Sequence, residues 1–253
     1  IWRHKEKLVI LPNDYILVKE QLLWLFSYLC TEYKYGTMNY IETERLILRQ
    51  FTEKDADALF LVLSDKEVNT FLPMFPLKNI EETKAYIQNK YISNHIQNRG
   101  FHYAICLKEN NLPIGYIHVS SDDSHDLGYG LRKEFWHKGI CTEACQTIIN
   151  VVKQSGIPYI TATHDVKNPR SGKVMQNIGM HYQYSYEELW QPKNILVTFR
   201  MYQLNFDGQE DRVYKKYWDK YPVHFIEVIE DKKLNYSIWS SVQAEEQTSP
   251  HST

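Results

Sequence analysis

The chain has 253 residues, 43% apolar and 24% charged, with 29 Lys and Arg set against 31 Asp and Glu. This is the composition of an ordinary soluble globular protein, either one domain with extensions or two small ones. The near-balance of charge disfavours nucleic acid or an anionic membrane as the main partner. Four cysteines (Cys30, Cys106, Cys141 and Cys145) lack paired C-x-x-C spacing, so neither a zinc site nor a disulfide framework is expected, and a reducing cytoplasm fits best.

Residues 1–37 differ from the rest. A basic start precedes QLLWLFSYLC, an apolar run too short to span a bilayer, and no small-residue cleavage site follows it. We expect an extension here, upstream sequence ahead of Met38, in a chain that is itself a fragment. A strand over 46–51 and a helix over 55–64 come next, capped near Thr52 to Asp55. Residues 68–77 carry two prolines and predict an irregular piece over a cleft. A longer helix follows over 81–97. Alternating apolar strands over 102–108 and 113–120 are joined by the turn KENNL. A central strand over 127–131 leads to a helix over 139–154. A strand over 159–163, a helix over 169–178 and strands over 181–188 and 194–205 complete a mixed α/β sheet with helices on both faces. Beyond Asp207 the sequence predicts an amphipathic helix in EDRVYKKYWDKY and an added strand over 223–229. The polar tail beyond Ser240 is expected to be disordered.

Two segments carry chemistry. The first, LGYGLRKEFWHKGICTEA (127–144), runs from a strand through a glycine turn into a helix. The backbone N–H groups of Lys138, Gly139, Ile140, Cys141 and Thr142 fall where a helix begins, a setting suited to phosphate. Gly139 lets a ligand approach the backbone closely. The second, NPRSGKVMQNIGM (168–180), reads as Asn168 at the cap, Pro169 at the first helical position and Gly179 as the stop. Ser171 is a first-turn hydroxyl that the helix itself does not require.

Together with ETERLILRQF (42–51), these segments resemble the GNAT superfamily of acetyl-coenzyme A-dependent N-acetyltransferases, in particular its ribosomal-protein N-terminal (RimJ/RimL-type) branch. The resemblance covers residues 39–206 and implies a GNAT-like fold, a mostly antiparallel sheet splayed at its central strands. It implies three parts: an extension over 1–37, an acetyltransferase domain over 38–206 and a C-terminal extension over 207–253. Trp136, Cys141 and Met180 depart from the superfamily's usual residues, though an aromatic at 136 is common in this branch. Cys141 leaves a thiol beside the expected coenzyme.

The resemblance further implies acetyl-CoA as co-substrate, with no metal, and an amine acceptor that is a small molecule or a protein N-terminus. It leaves room for a homodimer. The coenzyme's arm is expected along Tyr129, Gly130 and Leu131, where Gly128 and Gly130 suit a close approach and a backbone N–H can serve the oxyanion. Its pyrophosphate is expected on 138–142, with Asn168 holding the arm through its amide. Ser171 is the candidate for protonating the departing thiolate. Glu188, or its neighbour Glu187, is the candidate base, with Asp126 as the rival. The tyrosines and tryptophans gathered over 182–221 read either as packing or as an aromatic-lined acceptor cleft. The alternative to catalysis is an idle acetyl-CoA-binding module, a sensor or scaffold. A nucleotide-binding protein is disfavoured because neither GxxxxGK[ST] nor GxGxxG occurs.

Overall fold

A computed structural model describes residues 40–97 and 99–228. The expectations for residues 1–37 and for the tail beyond Ser240 therefore lie outside the described residues. In chain order come β1 (Tyr40–Glu42), β2 (Leu46–Arg49), α1 (Ala56–Leu63), α2 (Ile80–Tyr86), β3 (Phe101–Leu107), β4 (Pro113–Val119), β5 (Leu127–Leu131), α3 (Ile140–Gln154), β6 (Tyr159–Asp165), α4 (Pro169–Asn177), β7 (His181–Trp190), β8 (Ile195–Asn205), α5 (Lys216–Lys220) and β9 (His224–Phe225). Helix α2 continues through a π-helical stretch, Ile87–Ile92, into a last turn, Ser93–Ile96. Strand β1 was not expected, and the segment after Asp207 is more irregular than its sequence pattern suggested. Its helix is five residues long and its strand two.

The strands form two sheets, β1-β2-β3-β4-β5 and β6-β8-β7-β9, with antiparallel pairing throughout each. One parallel bridge, Asp126 to Thr161, joins them at the start of β5. Beyond it β5 and β6 diverge, which is the expected splay at the centre of the sheet.

Each sheet has two differently filled faces. On one, Leu48, Ile105, Ile117, Leu127 and Leu131 of the first sheet and Ile160 and Tyr202 of the second pack with α3 and α4. Helix α3 supplies Ile140, Ala144, Cys145, Ile148, Ile149 and Val152, an apolar stripe at helical spacing. On the other face of the first sheet, Ala104, Cys106 and Tyr116 pack with α1 and the α2 region. The matching face of the second sheet is aromatic, with Tyr184, Tyr186 and Phe199 covered by Tyr214, Tyr217, Trp218 and Tyr221.

Local signals account for the helix ends. Thr52 and Asp55 form a capping box before α1. Asp55 also holds Arg49 through two hydrogen bonds of 2.9 and 2.7 Å, so the end of β2 is fastened to the start of α1. Helix α4 closes in a Schellman turn. Met180 N–H reaches the Met175 carbonyl at 3.0 Å, Gly179 N–H reaches that of Gln176 at 3.1 Å, and Gly179 has φ +86°.

Candidate active site

Strand β5 supplies the centre of the site. Arg132 N–H bonds the Ile114 carbonyl at 2.9 Å, and Ser120 N–H bonds that of Asp126 at 3.0 Å. In an antiparallel ladder this register turns the backbone groups of Asp126, Gly128, Gly130 and Arg132 toward β4, and those of Leu127, Tyr129 and Leu131 toward the gap beside β6. The Leu131 carbonyl takes a hydrogen bond from the Trp136 indole at 2.9 Å. The N–H and C=O of Tyr129 and the N–H of Leu131 are left facing the gap. Gly130, expected to offer its backbone there, is instead turned to Tyr116.

The glycines beside Tyr129 also have a different cause from the one expected. A Cβ on Gly128 would lie 2.3 Å from the His118 ring, and one on Gly130 would lie 2.7 Å from the Tyr116 ring. These glycines make room for rings from the neighbouring strand, on the face away from α3.

The turn before α3 is built for an anion. His137 and Gly139 have φ of +61° and +74°, and Gly139 stands at the helix N-cap. Glu143 N–H is the first to find its acceptor within the turn, on the Gly139 carbonyl at 3.0 Å. The N–H groups of Ile140, Cys141 and Thr142 precede it and lack an upstream helical acceptor. A Cβ on Gly139 would meet only the Arg45 guanidinium, at 3.6 Å, so the space above the turn is open. Glu143 does not compete for this space, because its carboxylate is taken by Arg45 in an ion pair of 2.6 Å and by the Thr43 hydroxyl. Burial opposes ionisation of Glu143, yet those hydrogen bonds hold its carboxyl below the usual range. The Lys138 ammonium lies over Phe135 at 5.4 Å and the Arg170 guanidinium over Trp136 at 4.4 Å, which adds positive charge around the turn. Burial pushes the Cys141 thiol up to about 12, so it is protonated at neutral pH.

On α4, Asn168 occupies the cap position but its side chain makes no capping hydrogen bond. Its backbone closes the turn instead, with Asn168 N–H on the Asp165 carbonyl at 2.7 Å and Ser171 N–H on that of Asn168 at 3.2 Å. The amide is thereby left for other work. Ser171 has a partner that sequence reasoning missed. The Tyr129 hydroxyl donates to the Ser171 carbonyl at 2.9 Å and lies 3.0 Å from Ser171 Oγ. The alternation of LGYGL carried the signal, because it sends Tyr129 to the same face as Leu127 and Leu131, toward α3 and α4.

The carboxylates lie on the opposite face. Asp126 stands at the bridge where the sheets part, and its Oδ1 is buried with no hydrogen-bond partner. Burial raises its carboxyl to about 6, with Asp122 adding to the effect and Lys90 opposing it. Glu188 shares the β7 face of Tyr184, Tyr186 and Trp190, and its carboxylate interacts with the Tyr221 hydroxyl. Glu187 points to the other side of the strand. Asp126 and Glu188 both act electrostatically on the buried Tyr186 phenol. The aromatic cluster around that phenol is held by packing. Tyr186 stacks on Tyr217 and Tyr221, with ring centroids 5.2 and 4.9 Å away. Opposite, His118 stacks on His102 at 5.7 Å, and burial depresses it to about 3, so it is neutral.

Residues 45–181 match the family model described as an acetyltransferase (GNAT) domain. The chain is 27% identical over 144 residues to YoaA of Bacillus subtilis, an uncharacterized N-acetyltransferase, covering 55% of this chain and 81% of that one. It is 26% identical over 173 residues to the uncharacterized N-acetyltransferase p20 of Bacillus licheniformis, covering 66% and 96%. Among solved structures it superposes on a GNAT-family acetyltransferase from Bacillus anthracis with a TM-score of 0.58 and 23% identity, over 66% of this chain and 99% of that one. RimL, a ribosomal L7/L12 alpha-N-protein acetyltransferase solved with coenzyme A, gives 0.60 and 22%, over 66% and 98%. On the match of the family model, the chain belongs to the GNAT acetyltransferase family.

Proposed function

We propose that this protein transfers an acetyl group from acetyl-CoA to a primary amine, either a protein N-terminus or a small-molecule amine, by direct attack with both substrates bound. The observation that carries this reading is the gap between β5 and β6, with hydroxyl groups on one face and an unpartnered carboxylate oxygen on the other. The residues suit the coenzyme. An open turn with free N–H groups suits a pyrophosphate, the Asn168 amide is unused, and the free edge of Tyr129 and Leu131 can pair with an amide-bearing arm. Acetyl-CoA supplies an activated thioester.

The chain's own groups then divide the work. Asp126 receives the proton that the attacking amine loses. Its carboxyl near 6 makes it ionised at neutral pH yet basic enough to help. Glu188, already engaged with Tyr221, shapes the acceptor side in this reading. The Tyr129 or Leu131 N–H faces the carbonyl oxygen as it gains charge. Ser171 delivers a proton to the sulfur as the C–S electron pair passes to it, and recovers that proton from water. Hydroxyl and carboxylate lie on opposite faces of β5, so proton uptake and delivery take place on opposite sides of the reacting carbon.

The test is a pair of variants. Ser171→Ala and Asp126→Asn are each expected to lower kcat by about 10²–10⁴-fold, the usual range for proton-transfer assistance, with acetyl-CoA affinity retained. Glu188→Gln should change kcat much less. A kcat unchanged in Ser171→Ala would remove Ser171 from the chemistry. A loss confined to Glu188→Gln would move the base to that residue.

A further inference from the structure

We infer that Tyr129 is a positioning residue for the leaving-group step, fixing the Ser171 hydroxyl toward the sulfur of the coenzyme. The inference rests on the reading of Ser171 given above. Its basis is that one phenol oxygen meets two atoms of the same residue, the Ser171 carbonyl at 2.9 Å and Oγ at 3.0 Å. A buried phenol needs one hydrogen-bond partner, which the Ser171 carbonyl supplies; the contact with Oγ goes beyond that need. Burial holds the Tyr129 phenol well above its ordinary value, so it carries its proton in the resting protein.

The arrangement solves a problem particular to this helix. A first-turn serine can turn its hydroxyl back to the backbone or out to solvent, and the helix does not choose between these. The single phenol proton is shared between the Ser171 carbonyl and Oγ, and the share given to Oγ fixes where that oxygen sits. The serine proton is then free to point at a third atom. As the C–S bond breaks and its electron pair moves to sulfur, Ser171 donates into the growing charge. The phenol hydrogen bond strengthens in step, because hydrogen bonds in a chain polarise one another. No proton leaves Tyr129, so no buried phenolate has to be stabilised.

The experiment uses coenzyme A itself and needs no acceptor. The thiol of bound coenzyme A is titrated by the thiolate absorbance difference between complex and free protein, for the wild type, Tyr129→Phe, Ser171→Ala and the double variant. The inference predicts that the bound thiol titrates at higher pH in both single variants, and that the double variant resembles Ser171→Ala. The dissociation constant of coenzyme A should change less than threefold. With any accepted amine, kcat should fall at least tenfold in Tyr129→Phe while the acetyl-CoA KM holds. Thermal melting separates out a purely structural role, which would lower the melting temperature without moving the thiol titration. A Tyr129→Phe titration that matches the wild type, while Ser171→Ala shifts, overturns the inference and leaves the Ser171 reading standing. Silence of both variants overturns both. A defect in Tyr129→Phe exceeding that of Ser171→Ala overturns it in favour of a directly acting phenol.

Discussion

With Asp126 as the proposed base, stability and activity pull in opposite directions at one residue. Its carboxyl is raised to about 6 by burial, with Lys90, Asp122, Tyr129, Tyr186 and Tyr217 as its charged or titratable neighbours. A carboxyl whose folded value exceeds its unfolded one keeps its proton longer in the folded chain, so stability falls as pH rises between roughly 4 and 6. Above that window the ionised group costs up to about 3 kcal/mol. Asp126→Asn should therefore melt higher than the wild type at pH 8, with the difference shrinking toward pH 4. Activity runs the other way: turnover should rise with pH through about 6, and this limb should be absent from the variant. A melting difference that is the same at pH 4 and pH 8 would show that Asp126 is not the destabilised group. Asp126 was legible from sequence only as a rival to Glu188, because nothing in a strand's pattern reveals which carboxylate loses its solvent. Ser171 was legible for a local reason, as a hydroxyl its helix did not need. The partner of Tyr129's hydroxyl was not legible, because only the fold brings the first turn of α4 over β5.

At the scale of elements, the glycine turn before α3 has the geometry its sequence predicts, while the glycines of β5 answer to a different demand. Gly139 has φ +74°, a local demand visible in a strand–glycine–helix sequence. Gly128 and Gly130 answer to His118 and Tyr116, ten and fourteen residues away in sequence, and only the β4–β5 register brings those rings across. The Asn168 cap failed for a similar reason. The backbone turn from Asp165 already closes the helix entry, so the amide is not needed there. A test at this scale uses Gly139→Asn, because asparagine tolerates a left-handed conformation at little cost. The variant should melt within a few degrees of the wild type yet bind coenzyme A at least tenfold more weakly, since its side chain enters the open space above the N–H groups. Normal binding by a folded Gly139→Asn protein would place the pyrophosphate elsewhere.

At the scale of the whole molecule, the segment after Asp207 ties the loop before β5 to the second sheet. Lys216 pairs with Asp123, in the loop before β5, at 3.0 Å, and the Tyr214 hydroxyl reaches the same carboxylate at 3.1 Å. Glu227 pairs with Arg200 and accepts from Ser185 in the second sheet. At the far end of the cleft, the Lys193 ammonium in the β7–β8 connection donates to the Asn69 carbonyl, 2.5 Å away. The expected acetyltransferase domain ends at residue 206 and leaves this segment as an extension. Its aromatic residues instead cover Tyr184 and Tyr186, which would otherwise face water. A chain ending at residue 228 should fold and melt like the full protein. One ending at residue 206 should melt lower by at least 5 °C, about the shift expected from one or two kcal/mol in a domain of this size, and lose acceptor turnover. Equal melting of the two truncated chains would show that the segment is dispensable. Among the described residues no helix is long and apolar enough to cross a membrane.

The most direct test of acyl transfer follows the acetyl group itself. The protein is incubated with isotopically labelled acetyl-CoA and a panel of peptides with free N-termini, small primary amines and amine-bearing antibiotics, and each is weighed by mass spectrometry for label gained. The account predicts labelled product on at least one amine. Product formation should be strongly reduced in Ser171→Ala and in Asp126→Asn, and free coenzyme A should appear in step with it. Tight binding of acetyl-CoA with no label on any amine, and no slow release of thiol in the absence of acceptor, would contradict the account and mark the protein as an acetyl-CoA-binding module without catalysis.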